Sequence, residues 1–173
     1  AHAMELGFVT ADCDLSPERR LSGTGGAGIK TYRELVKNLS TRSSPDGGAL
    51  VSIITKWFSD VKTQLVIEGN DPEDETFDTV FTLRVHEALR NLESEVGGFD
   101  FARILSAYYK AYMADDNEAC AACIRWIRGE FNTKTEAREI LGIRGISIIS
   151  DDTWYEYLKL LCSFVRLAGY RGM

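Results

Sequence analysis

Apolar positions recur at helical spacing along most of this chain and at strand spacing in one place. Residues 6–13, Leu-Gly-Phe-Val-Thr-Ala-Asp-Cys, are β-branched and aromatic with weak alternation, which predicts a strand. Pro17 breaks it. Beyond the glycines at 23–28 the period changes to 3.6. Ile29, Tyr32, Leu35, Val36 and Leu39 share one face of a first helix, and residues 44–48, Ser-Pro-Asp-Gly-Gly, form a loop. A second helix is predicted over about 49–67, with Leu50, Ile53, Ile54, Trp57, Phe58, Val61 and Leu65 inward. The third starts near Pro72 and buries Phe77, Val80, Phe81, Leu83, Val85, Ala88, Leu89 and Leu92 up to the Gly97-Gly98 break. A fourth covers about 101–113. Asp115 and Asp116 cap a fifth through Ile127, and Thr133 caps a short sixth ending at Leu141. Residues 142–149 read as a turn or a short extended piece. Asp151, Asp152 and Thr153 cap a last helix carrying Leu160, Leu161, Phe164, Val165 and Leu167, which Gly169 ends. The fold class is therefore mainly α: a multi-helix, bundle-like unit with one N-terminal strand and no internal repeat.

Composition agrees with a folded domain. The chain has 173 residues, 45% of them hydrophobic, and only 3 prolines, which suits a single packed core. Twenty basic against 26 acidic residues leave a net charge of −6. That balance counts against a surface that tracks phosphate backbones, so nucleic acid is a poor partner for this chain alone. No apolar run approaches a membrane span and no signal segment opens the chain, so a soluble cytoplasmic domain is expected. Residues 1–4, Ala-His-Ala-Met, read like a cloning remnant, which makes His86 the sole native histidine. With so little imidazole, neither a His-dependent nucleophile nor a His metal site is expected.

The candidate chemistry is thin. Gly23-Thr-Gly-Gly-Ala-Gly28-Ile29-Lys30-Thr31 nearly spells the phosphate cradle G-x-x-x-x-G-K-[ST], but Ile29 separates Gly28 from Lys30. One inserted residue turns everything after it by about 100° around a helix, so a flexible loop leading into the helix is the better account. Cys120 and Cys123 have metal-like spacing within an alanine-rich helix, without a second pair or a histidine, and read as small buried thiols. The acids at 71–78 and at 115–118 precede helices and read as caps. Lys30, Arg33 and Lys37 form a basic stripe on one helix face, either solvated or a contact for a partner. Arg19 and Arg20 follow the strand at a proline-marked turn, where a surface role and a contact role are equally open.

Two stretches carry a resemblance. Residues 14–26, Asp-Leu-Ser-Pro-Glu-Arg-Arg-Leu-Ser-Gly-Thr-Gly-Gly, lead to Tyr32-Arg-Glu-Leu-Val-Lys-Asn-Leu-Ser-Thr-Arg and Pro45-Asp-Gly-Gly-Ala-Leu. At the other end stand Asp152-Thr-Trp-Tyr-Glu-Tyr-Leu-Lys-Leu-Leu and Phe164-Val-Arg-Leu-Ala-Gly-Tyr-Arg-Gly. Together they resemble the bacterial P-loop ATP-binding proteins of BREX phage-defence systems. The resemblance implies that the Walker A loop lies upstream of the strand, and that the Walker B strand begins after Tyr170-Arg-Gly. Residues 5–22 would then be an orphaned strand and turn of the ATPase sheet, and residues 23–173 a helical insertion subdomain. ATP and magnesium are implied for the parent protein and no cofactor for this chain, which would not itself be catalytic.

On this reading the chain couples nucleotide state to the rest of the parent ATPase, to a protein partner or to further copies. A free-standing helical interaction module is the alternative, with a DNA-contacting adaptor using Lys30, Arg33 and Lys37 behind it. Leu6 and Tyr170 are expected to lie close together. The strand is expected to be held by its own helices or, preferentially, by a neighbouring copy.

Overall fold

The computed structural model describes residues 2–14 and 25–173. Arg19 and Arg20, together with the first two positions of the glycine loop, lie outside the described residues. The elements run α1 (His2–Glu5), β1 (Thr10–Ala11), α2 (Ala27–Lys37), β2 (Leu39–Ser40), α3 (Leu50–Ile67), α4 (Phe77–Glu93), α5 (Gly98–Met113), α6 (Asn117–Ile127), α7 (Lys134–Leu141) and α8 (Trp154–Leu167). The mainly helical expectation holds.

Helix α5 is the hub. It packs most closely on α4 and α6 and also meets α8, while α2 lies on α8 and α3 on α4. The inward face predicted for α3 is the one observed, with Leu50, Ile53, Ile54, Trp57, Phe58 and Leu65 buried and Val61 half-buried against the core. Aromatic contacts join the layers at the centre. Phe164 of α8 meets Trp57 edge-on, with ring centroids 5.4 Å apart, and Phe101 of α5 at 5.8 Å. Burial on this scale, with rings that fit edge to face, supplies the main driving force for such a fold.

Five expectations are corrected. The strand predicted over residues 6–13 shrinks to Thr10–Ala11, because His2–Glu5 coil into a helical turn and Phe8 and Val9 pair elsewhere. That strand has a partner within the chain: Thr10 lies opposite Ser40 and Ala11 opposite Leu39 in an antiparallel pair, so no neighbouring copy is needed to hold it. Leu39 therefore leaves the first helix and is buried as a strand residue.

The third helix begins at Phe77, not near Pro72. Asp71 Oδ1 accepts the N–H of Glu73, and Asp74 Oδ1 accepts both the N–H and the hydroxyl of Thr76. These local bonds give the backbone a turn to adopt instead of a helix. Leu83 is 64% exposed, because it sits two positions, or about 200°, from Phe81 on the buried face of α4.

The chain's two outer segments do meet. Val9 N–H donates to Gly172 O and Arg171 N–H to Gly7 O, both at 2.9 Å, and the Arg171 guanidinium lies over the Phe8 ring. The residue numbers rise together, so the segments run in the same direction. The expected proximity of Leu6 and Tyr170 is thereby observed.

Candidate functional site

The glycine loop and the basic stripe converge on α2, so its surroundings decide what either can do. Gly25 and Gly26 have φ of +89° and +82°, a left-handed pair that lets the chain turn sharply into α2. Gly28 then meets α8 without a gap: a Cβ there would lie 2.1 Å from Trp154 Nε1. The tryptophan packed on the helix leaves no room for a side chain at this position.

The anion at this helix start is a side chain of the protein. Ile29 N–H donates to Asp151 Oδ1 at 3.1 Å, a contact between residues 122 apart in sequence. A carboxylate at a helix N-terminus satisfies an orphan N–H and meets the positive end of the dipole, the role phosphate has in a nucleotide cradle. Asp151 was expected to cap α8, so this reassigns it. Thr31, at the position where a cradle would hold its metal-binding hydroxyl, is fully buried and donates to Ala27 O within its own helix.

The other face of α2 closes the end of α6. Tyr32 OH donates to Ile127 O and Arg33 Nε to Gly129 O, each at 2.7 Å. A guanidinium suits the negative end of a helix dipole. Burial pushes the Tyr32 phenol far up, so it remains a neutral donor. Of the basic stripe, Arg33 is thus held through its Nε–H on a carbonyl and is half-buried, while Lys30 and Lys37 are exposed.

Cys120 and Cys123 sit on successive turns of α6, both reduced. Burial, and then the neighbouring Cys120, push the Cys123 thiol up to about 12, so it stays protonated at neutral pH. The acids at 115–118 do supply a cap: Asp116 Oδ1 accepts the N–H of Ala119. Of the acids at 71–78, Asp78 lies in the first turn of α4 as expected, while Asp71 and Asp74 build the turns before it.

A second polar cluster escaped sequence reasoning. Asp100 of α5 accepts the N–H and the hydroxyl of Ser147, whose oxygen lies 3.1 Å from Tyr157 OH, and Trp126 Nε1 donates to Ser147 O at 2.8 Å. The irregular segment between α7 and α8 is thereby tied to α5, α6 and α8. No periodic signal marks such a knot, because its members come from four separate stretches. With no histidine or second acid in the cluster, its role is to position that segment.

Nothing in this geometry is a complete nucleotide site or catalytic constellation among the described residues, and the identity rests on the family comparison. The family model described as BREX system ATP-binding protein BrxC/D matches residues 1–173. The chain belongs to that family. No curated protein and no solved structure matches it. Membership in the BrxC/D family makes this a defence-associated, ATPase-related component of the BREX system, a phage-defence system. It also makes action alongside other proteins of that system the expectation for the chain. Among the described residues, no helix is long and apolar enough to cross a membrane.

Proposed function

We propose that this chain is the helical subdomain of a BREX P-loop ATPase, not itself catalytic, which couples nucleotide state to contacts with a partner or with other subunits. One observation carries the reading. Residues 7–9 and 171–172 run side by side in one direction, hydrogen-bonded to each other, while the whole helical body lies between them in sequence. A parallel sheet inserts an excursion in this way, since neighbouring strands share a direction and the connection crosses outside the sheet. Movement at a nucleotide site in the adjoining sheet would enter the helices through this double stem.

The absence of catalysis has its own support. The Asp151 carboxylate already satisfies Ile29 N–H, the insertion of Ile29 turns Lys30 out to solvent, and Trp154 covers Gly28. Calorimetry of this chain with Mg-ATP is expected to give no binding; micromolar binding that Lys30→Ala abolishes would overturn this. DNA contact has little support, because three basic side chains on a protein of net charge −6 gain little from counterion release.

Hydrogen exchange in the full-length ATP-binding protein tests the coupling. Exchanging ADP for a non-hydrolysable ATP analogue is expected to change protection at residues 7–9 and 170–172 and along α2 and α8. Protection unchanged at both stem segments, with an occupied nucleotide site, would overturn it.

A further inference from the structure

The groove between α3, α4 and α5 is built unlike the rest of the surface. It encloses about 280 Å³, just below the usual size of a small-molecule pocket and suited to one long side chain. Its floor is aromatic: Phe58, Phe77, Phe81 and Tyr109 are buried, with Phe81 and Tyr109 stacked at 4.4 Å. Its rim is open. Tyr112 and Met113, which also line it, are 50% and 52% exposed at the end of α5.

The charge beside this floor is one-sided. Asp78 lines the groove, and the segment that supplies Pro72 and Phe77 to its wall also carries Asp71, Glu73, Asp74 and Glu75, all exposed. None of these five acids forms an ion pair among the described residues. Lys62 is the one cation lining the groove. The field of Asp78 reaches the floor: burial first, and then this carboxylate, push the Tyr109 hydroxyl up to about 12.

We propose that this groove docks an arginine side chain presented by a protein partner. Ring faces attract a cation through their quadrupole, and a guanidinium can stack on Tyr112 while its N–H fork engages Asp78. A lysine ammonium offers no plane to stack, and a nucleic acid would bring phosphates to five carboxylates faced by the single cation Lys62. An exposed aromatic anchor beside a buried floor is also the usual make-up of an energetic centre in an interface. The inference deepens the coupling role proposed above, and rests on it only in taking the occupant to be a protein.

The probe is an N-acetylated, C-amidated Gly-Arg-Gly-Arg-Gly peptide, titrated into ¹⁵N-labelled protein and followed by amide chemical shifts. Its citrulline counterpart, isosteric but uncharged, serves as the control. Shifts are expected at residues 55–62, 72–81 and 109–113, with affinity about tenfold weaker in Asp78→Asn and in Tyr112→Ala and no saturation by the citrulline peptide. Both substitutions are at exposed positions, and unchanged spectra elsewhere will show that the fold persists. Shifts scattered over the acidic surface, equal affinity in Tyr112→Ala, equal binding of the citrulline peptide, or no binding at all would each overturn the proposal. So would a concentration-dependent dimer that Tyr112→Ala abolishes, since a second copy would then be the occupant. Failure here leaves the exchange experiment on the full-length protein untouched, so the two readings fall separately.

Discussion

Two regions of the helical body solve opposite problems. Around α2 the backbone and packing groups are answered from within: Asp151 takes Ile29 N–H, Tyr32 and Arg33 take carbonyls at and just beyond the end of α6, and Trp154 fills the space over Gly28. Around the α3–α4–α5 groove the rings are packed, but the carboxylates of 71–78 form no ion pair among the described residues and Tyr112, stacked on Tyr108, is half-exposed. Internal satisfaction suits the transmission of position proposed above, and acidic charge beside an open ring suits the proposed docking. The motif that looks most like a ligand site in the sequence belongs to the first kind. The groove belongs to the second, and no motif announces it.

The largest expected effect tests whether the groove floor is structural beneath its open rim. Phe81→Ala removes a ring stacked on Tyr109 and is expected to cost about 3–5 kcal/mol in urea unfolding, since the cavity can close only partly. A loss below ~1 kcal/mol would mean that the floor is loosely packed and the two regions differ less than argued here.

Gly28→Ala probes the closed region. A methyl group there collides with the Trp154 indole, and a loss of about 1–3 kcal/mol is expected. The decisive measurement is a double-mutant cycle. On a Trp154→Ala background the same change should become neutral or stabilising by up to ~1 kcal/mol, because alanine favours a helix over glycine. An unchanged penalty would show that something other than the indole requires Gly28.

Asp151→Ala removes a cap supplied from across the chain and is expected to cost about 1 kcal/mol, with faster amide exchange at Ile29. If exchange there is unaffected, the carboxylate does not hold the start of α2. Smallest of all, Tyr112→Ala should shift stability by no more than about 0.5 kcal/mol, as expected for a half-exposed position. A larger loss would place Tyr112 with the packed floor.

The cysteines give a chemical check on burial. With its thiol pushed up to about 12, Cys123 is expected to resist alkylation at pH 8 in the native protein and to react once urea unfolds it. Native reaction at the rate of an unfolded thiol would contradict the packing of α6 against α5.

What the sequence determined by itself was periodic or local. The inward residues of α3 from Leu50 to Leu65, the Thr133 and Asp116 caps, the end of α8 at Gly169 and the mainly helical class all follow from spacing and short-range chemistry. The displaced start of α4 was local too, but Pro72 pointed one way and the Asp71 and Asp74 turns the other. The remainder needed the third dimension. Residues 6–13 carry strand-like composition, yet how much of them forms a strand depended on what Leu39–Ser40 and Gly172 offered. Asp151 has the composition of a cap for the helix that follows it, and only the packing of α2 on α8 brought a different N-terminus within reach. The close packing over Gly28 comes from an indole 126 positions on in the numbering, at Trp154. Helical periodicity fixes which face of a helix is buried, but not which helix covers it, so every feature made by residues distant in sequence was left to the tertiary structure.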